Sequence, residues 1–349
     1  MAALEMIGWQ VGLTYQAPYR EGLSREYLLR LLDEMQANGM NLLSLMMVSQ
    51  AYHDPEHDGY AWPVRNKRLQ CYVDSACLNA KAETEFVSEV IQEAAERGIA
   101  VQLFLTGTWW TAGRIRKGYP QAQPLVDRNG QLHPVHFCLD SPDTWEAWVD
   151  EVSDLLTFYR HPNVRSFGFE IFGFPECYCS YTKAAFRRDF GRELENPGED
   201  LVRGLPLWTW NVKRTRDALQ QFVSTVHQIR PDIEIWLHTQ GVGNGHMPHI
   251  FRPAGITTLL PLDHYYSCRQ EAWHLLQFLQ PNLCVIHLCA RATSPANYPI
   301  PPKDPELIRE KISWYLSYPG ENLRGIMFFN DPAVPLENKQ AIYSALRES

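Results

Sequence analysis

Residues 164–172 read VRSFGFEIF, a short apolar run in which the two faces of an extended strand carry different chemistry. Ser166, Gly168 and Glu170 share one face, and Phe167, Phe169 and Ile171 share the other, because successive side chains of a strand point to opposite sides. The phenylalanines suit a surface covered by helices, which turns the small residues and Glu170 towards the opposite side. A carboxylate facing an interior is costly to bury without a partner. Glu170 is therefore either held by an Arg or Lys in a buried salt bridge or placed there for chemistry.

Working outwards from this segment, short β-branched or apolar runs alternate with helical patterns, the signature of βα units around a parallel sheet. The runs lie at residues 7–14, 41–48, 99–107, 164–172, 233–239, 256–266, 283–290 and 323–330. Ser24 caps a helix with apolar positions at Leu28, Leu29, Leu32 and Met35, closed by Asn38-Gly39. Asn129-Gly130 suits a tight type I′ hairpin, and Ser141-Pro142 supplies an N-cap and an N1 proline for the helix that precedes residue 164. Pro261 predicts a bulge or an early end to the sixth strand. Eight units without a Pro/Ser-rich linker predict one α/β domain over residues 1–349, a (β/α)8 TIM barrel with extended βα loops. Two open, doubly wound sheets are the competing architecture.

Barrels of this kind assemble their sites from the loops at the C-terminal ends of the strands. Those ends carry Gln10 and Tyr15, Tyr52 and His53, Thr106, Trp109 and Trp110, Glu170 and Glu176, His238 and Gln240, Asp263, His264 and Tyr265, His287 and Arg291, and Asn330 and Asp331. Carboxylates, imidazoles and indoles together suit a sugar, whose C–H faces stack on indoles while its hydroxyls bind carboxylates and amides. Glycoside hydrolysis needs two carboxyl groups flanking the scissile bond. The catalytic candidates are Glu170, Asp263 and Glu176, although Asp263 also fits a strand-end turn or cap. Tyr52, His53, Trp109, Trp110, His238, His264, Tyr265, Arg291 and Asn330 are the candidate substrate contacts. No acidic residue ends the seventh strand.

The composition narrows the field further. The chain has 349 residues, 45% hydrophobic and 21% charged, which is a globular balance. A net charge of −8 argues against a nucleic-acid partner, and no apolar run is long enough to cross a membrane. The N-terminal MAALEMIGWQVGLTY lacks the basic region of a signal peptide, so a cytoplasmic location with reduced cysteines is expected. Cys177 and Cys179 fall short of the four ligands of structural zinc and read as loop packing. The 54–59 stretch DPEHDG begins like a calcium loop but has Arg65 at its twelfth position. Gly241–His246 lacks a dinucleotide fingerprint, and there is no P-loop, HExxH or GxSxG. His238, His264, His287 and Asp331 resemble the scattered ligands of barrel metallohydrolases, yet the first strand ends GLTY without a His-x-His pair. No cofactor and no metal are expected.

With FGFEIFGFPECYCSYTKAAFRRDFG (167–191) in view, the chain resembles glycosidase-like (β/α)8 barrels, akin to glycoside hydrolases grouped with α-L-fucosidases and the catalytic barrels of some β-galactosidases. ETEFVSEVIQEAAERGIAVQLFL (83–105) and VDRNGQLHPVHFCLDSPDTWEAWV (126–149) carry the rest of the likeness. The resemblance implies hydrolysis of a glycoside or oligosaccharide, with a carbohydrate as partner. A homo-oligomer is compatible with the sequence. A metal-dependent hydrolase or sugar isomerase, and a barrel that binds carbohydrate without turnover, are the alternatives.

Overall fold

The computed structural model describes residues 4–13, 24–48, 59–72, 85–107, 110, 112–170, 177–194, 205–239, 251–263, 268–290, 303–331 and 334–348. Eight parallel strands close into one barrel: β1 (Met6–Gly12), β2 (Leu42–Met46), β3 (Ala100–Leu105), β6 (Val164–Glu170), β7 (Glu234–Thr239), β8 (Thr258–Asp263), β9 (Leu283–Cys289) and β10 (Leu323–Asp331). Each pairs with the next in that order, and β10 closes on β1. The expected (β/α)8 architecture is the one observed, with β6 as its fourth strand.

The remaining two strands, β4 (Pro124–Val126) and β5 (Leu132–Phe137), form an antiparallel hairpin outside the barrel. Its connection differs from the two-residue type I′ turn expected at Asn129-Gly130. The Gly130 N–H donates to the Asp127 carbonyl (3.0 Å), and Asp127 N–H donates to the Gln131 carbonyl (2.9 Å). The loop is thus residues 128–130, with Gly130 at φ 82°. The Asp127 carboxylate sets this geometry by accepting the N–H groups of Asn129 and Gln131, each at 2.8 Å. β8 likewise departs from expectation, running unbroken through Pro261, which pairs with Thr239 of β7.

Helices cover the outside. They are α1 (Arg25–Ala37), α2 (Glu85–Glu96), α3 (Ala112–Gly118), α4 (Pro142–Phe158), α5 (Ser180–Phe190), α6 (Leu205–Ile229), α7 (Arg269–Phe278), α8 (Pro305–Leu316) and α9 (Leu336–Arg347). The α1 cap is as read, with Ser24 accepting the Tyr27 N–H, and Leu28, Leu32 and Met35 are buried alongside Leu31. No helix among the described residues is long and apolar enough to cross a membrane.

The alternation in β6 is realised on both faces. Outside, Phe169 meets Trp148 of α4 and Phe222 of α6 edge-on, and those two rings stack at 3.8 Å and 7°. Inside, a polar chain crosses four strands: Gln10 Nε2 donates to Ser44 Oγ (3.3 Å), Ser44 to Gln102 Oε1 (2.8 Å), and Gln102 Nε2 to Ser166 Oγ (3.3 Å). Each group is buried, and each finds a partner on the next strand, so burial leaves no unmatched donor along this chain. Around it the lumen is apolar, with Leu42, Met46, Phe104, Trp236, Leu260, Val285 and Met327 in one cluster.

Gly168 sits where the polar chain and this cluster meet. A Cβ there would lie 2.7 Å from Phe104 Cδ2 and 3.0 Å from Gln102 Cδ. Gly168→Ala is therefore expected to overpack the lumen and lower stability by about 1–3 kcal/mol. A melting temperature equal to wild type in thermal denaturation would contradict this packing.

Candidate active site

The parallel register sets Glu170 directly opposite His238 of β7. Both are the last inward-facing residues of their strands, at the C-terminal end of the barrel where sites of this fold are built. Glu170 is 4% exposed and His238 6%. Glu170 Oε1 lies 3.2 Å from His238 Nδ1, and His238 Nε2 lies 2.8 Å from Nδ1 of His287, which is 1% exposed on β9. His238 crosses in front of Leu260 on the intervening strand to reach it.

This line of groups has a definite proton logic. One proton lies between His238 Nε2 and His287 Nδ1, so one imidazole donates and the other accepts across that contact. His238 Nδ1 stands at ion-pair distance from the Glu170 carboxylate without a hydrogen bond between them. Phe104 and Phe329 meet the two imidazoles edge-on, at 5.7 and 4.8 Å between centroids, and hold the rings upright. Beside them Gly107 (φ 72°) comes so close that a Cβ would stand 2.2 Å from the Glu170 carbonyl oxygen.

Among the described contacts of Glu170 is the His238 imidazole. His238 is placed as a partner of Glu170, and His287, flagged only as a strand-end residue and possible metal ligand, belongs to the same line.

Two expected contacts lie elsewhere. Asp263 ends β8 with its carboxylate turned outwards, 0% exposed, accepting from Lys311 Nζ and the Tyr315 hydroxyl of α8, each at 2.7 Å. It therefore does not converge with Glu170 on one cavity. Alternation explains this: Asp263 has the parity of Leu259, which packs in the outer layer, whereas Leu260 faces the lumen. Removing one partner of such a buried pair costs about 3–5 kcal/mol, so its role is to fix α8 on the barrel. Trp110 is a core residue, fully buried and edge-on to Phe137 at 5.7 Å, not a sugar platform.

Glu176, Tyr52, His53, Trp109, His264, Tyr265 and Arg291 lie outside the described residues, and of Asn330 only the backbone, in β10, is described. The sulfur donors of Cys138, Cys177 and Cys179 come within 4.8 Å of one another, the one group among the described residues suited to a metal. The pair expected to serve loop packing is thus joined by a third thiol from beyond β5.

No protein-family model matches the sequence, and no curated protein does. Solved structures do. The glycoside hydrolase domain of PgaB (BpsB) from Bordetella bronchiseptica superposes with a TM-score of 0.66 at 14% identity, covering 99% of this chain and 98% of that one. The chain shares the (β/α)8 barrel fold of that domain. A β-galactosidase from Bacillus circulans sp. alkalophilus gives 0.65 at 11% identity over 99% of this chain and 56% of that chain. The GH20 catalytic modules of the pneumococcal exo-β-D-N-acetylglucosaminidase StrH give 0.61 at 8% identity, over 98% and 82%.

A second buried acid lies on α4. Glu151 of α4 faces the Tyr60 hydroxyl and the Trp110 indole N–H, and burial pushes its carboxyl up to about 8 despite those donors. Because the folded value is raised, the associated stability is full at acidic pH and is lost as pH rises through about 8. Glu151→Gln is expected to melt higher than wild type at pH 9 and to flatten the fall in melting temperature between pH 5 and 9. Parallel pH profiles for the two proteins would contradict a neutral buried Glu151.

Proposed function

We propose that the chain is a glycoside hydrolase acting on a small glycoside or oligosaccharide, with Glu170 as one of its two catalytic carboxyl groups. The observation that carries the reading is a buried glutamate at the C-terminal end of β6, with the His238 imidazole 3.2 Å away and His287 hydrogen-bonded behind it. Placement of a reacting group within a few tenths of an ångström is what an enzyme gains from such a support. The likeness to barrels of glycoside hydrolases supports the same class.

With Asp263 committed to Lys311 and Tyr315, Glu176 is the proposed second carboxyl. It follows Glu170 by six residues in the loop leaving the same strand. One group protonates the departing oxygen while the other acts on the opposite face, as base towards water or as nucleophile; their separation decides between inversion and retention. Sugar contacts are proposed from Tyr52, His53, Trp109, His264, Tyr265, Arg291 and Asn330, all at strand ends. His238 acts here by positioning Glu170.

Turnover of a panel of aryl glycosides tests the reading, run with and without a chelator. Glu170→Gln is expected to lower kcat at least about a hundredfold at an unchanged melting temperature. His238→Ala is expected to lower it less, and chelator to leave it unchanged. Wild-type activity in Glu170→Gln would overturn the assignment. Chelator-sensitive turnover would favour a metal-dependent hydrolase, and binding without turnover a carbohydrate-binding barrel.

A further inference from the structure

Cys138 meets the Cys177–Cys179 pair, 39 positions later in the sequence, at the start of α5. Cys138 follows β5 directly, while Cys177 and Cys179 lie on the approach to α5, with Cys179 as its N-cap. All three are buried, at 2%, 5% and 4% exposure. Cys179 Sγ is 3.6 Å from Cys138 Sγ, and the three sulfurs lie within 4.8 Å of each other. Four donors placed about 2.3 Å from a zinc-class cation stand about 3.7 Å apart at the corners of a tetrahedron. The sulfurs occupy a space of that size.

The fourth corner is also furnished. Thr182 Oγ1 is 3.2 Å from Cys138 Sγ and 3.5 Å from Cys179 Sγ. The hydroxyl donates its only proton to Asp140 Oδ2 at 2.6 Å, which leaves its lone pairs facing the sulfurs. Asp140 is itself paired with Arg214. The Thr182 backbone N–H points at Cys179 Sγ at 3.5 Å, and the start of α5 adds its positive end, both of which favour a thiolate there. Apolar packing alone accounts for neither the hydroxyl aimed at two sulfurs nor the carboxylate behind it.

We propose that Cys138, Cys177 and Cys179 bind one thiophilic divalent cation of the zinc class, with Thr182 Oγ1 as the fourth donor and Asp140 as the group that orients it. Binding converts the thiols to thiolates and releases their protons to solvent, with no change of oxidation state. Three thiolates and the cation carry a net charge of −1, and the Asp140–Arg214 pair beside them is neutral. The bound ion ties the end of the β4–β5 hairpin to the chain emerging from the Glu170 strand. It closes the stretch of 38 residues between Cys138 and Cys177, which contains all of α4 and β6. Its role is structural, and it is independent of whether Glu170 is catalytic.

The full chain, purified without chelator and then reconstituted with zinc or cobalt(II), provides the test. Elemental analysis is expected to find about one equivalent of zinc per chain, with a lower melting temperature after chelation. Cobalt is expected to show the thiolate charge-transfer absorption of a tetrahedral site, in wild type and in Glu170→Gln alike. Asp140→Asn is expected to weaken zinc binding about ten- to a hundredfold, and Thr182→Cys to tighten it. The Thr182→Cys chain keeps the test decisive where Cys177→Ser fails to fold. Less than about a tenth of an equivalent of zinc after reconstitution, or full occupancy in the Cys177→Ser/Cys179→Ser double variant, overturns the proposal.

Discussion

The two-residue alternation of β6, locked by Phe167 and Phe169 against Trp148 and Phe222, governs much else in this molecule. Once those rings are held between the sheet and α4 and α6, Ser166, Gly168 and Glu170 have no choice of side. Ser166 completes the polar chain from Gln10, Gly168 makes room for Phe104 and Gln102, and Glu170 arrives opposite His238. Sliding the strand by one residue would bury Ser166 and Glu170 in the outer apolar layer and put two phenylalanines in the lumen. The aromatic layer therefore fixes the chemistry on the other side of the sheet.

The site sets an imidazole against a buried carboxylate at the end of the Glu170 strand. Glu170, His238 and His287 come from β6, β7 and β9, so their spacing is set by strand register and not by a loop. Asp263 shows the opposite solution two strands away: a fully buried carboxylate satisfied by Lys311 and Tyr315, holding a helix in place. The first is aimed at the mouth through an imidazole. The second is neutralised on the far side of the sheet.

Much of this was legible from residues alone. The eight units, the Ser24 cap and the inward face of β6 follow from periodicity and capping chemistry, which act over a few residues. The parity of Asp263 was lost because its strand was read as running to residue 266 and Pro261 suggested a bulge; in fact β8 keeps strict alternation to its last residue, which turns the carboxylate outwards. Nothing local marks Trp110 as a core residue, since it is the packing of β5 and α4 against it that buries it. The pairing of His238 with His287 is a contact across two strands, and no local pattern encodes it. Cys138 escaped notice for the same reason: it lies 39 positions before Cys177, and only the hairpin's return brings the thiols together.

The most direct test of Glu170 as a reacting carboxylate is rescue of Glu170→Ala by small anions. Turnover of an activated aryl glycoside, measured with and without added azide or formate, is predicted to be lost in the variant and partly restored by the anion, which takes the place of the missing carboxylate. Turnover at the wild-type rate without added anion would contradict the assignment.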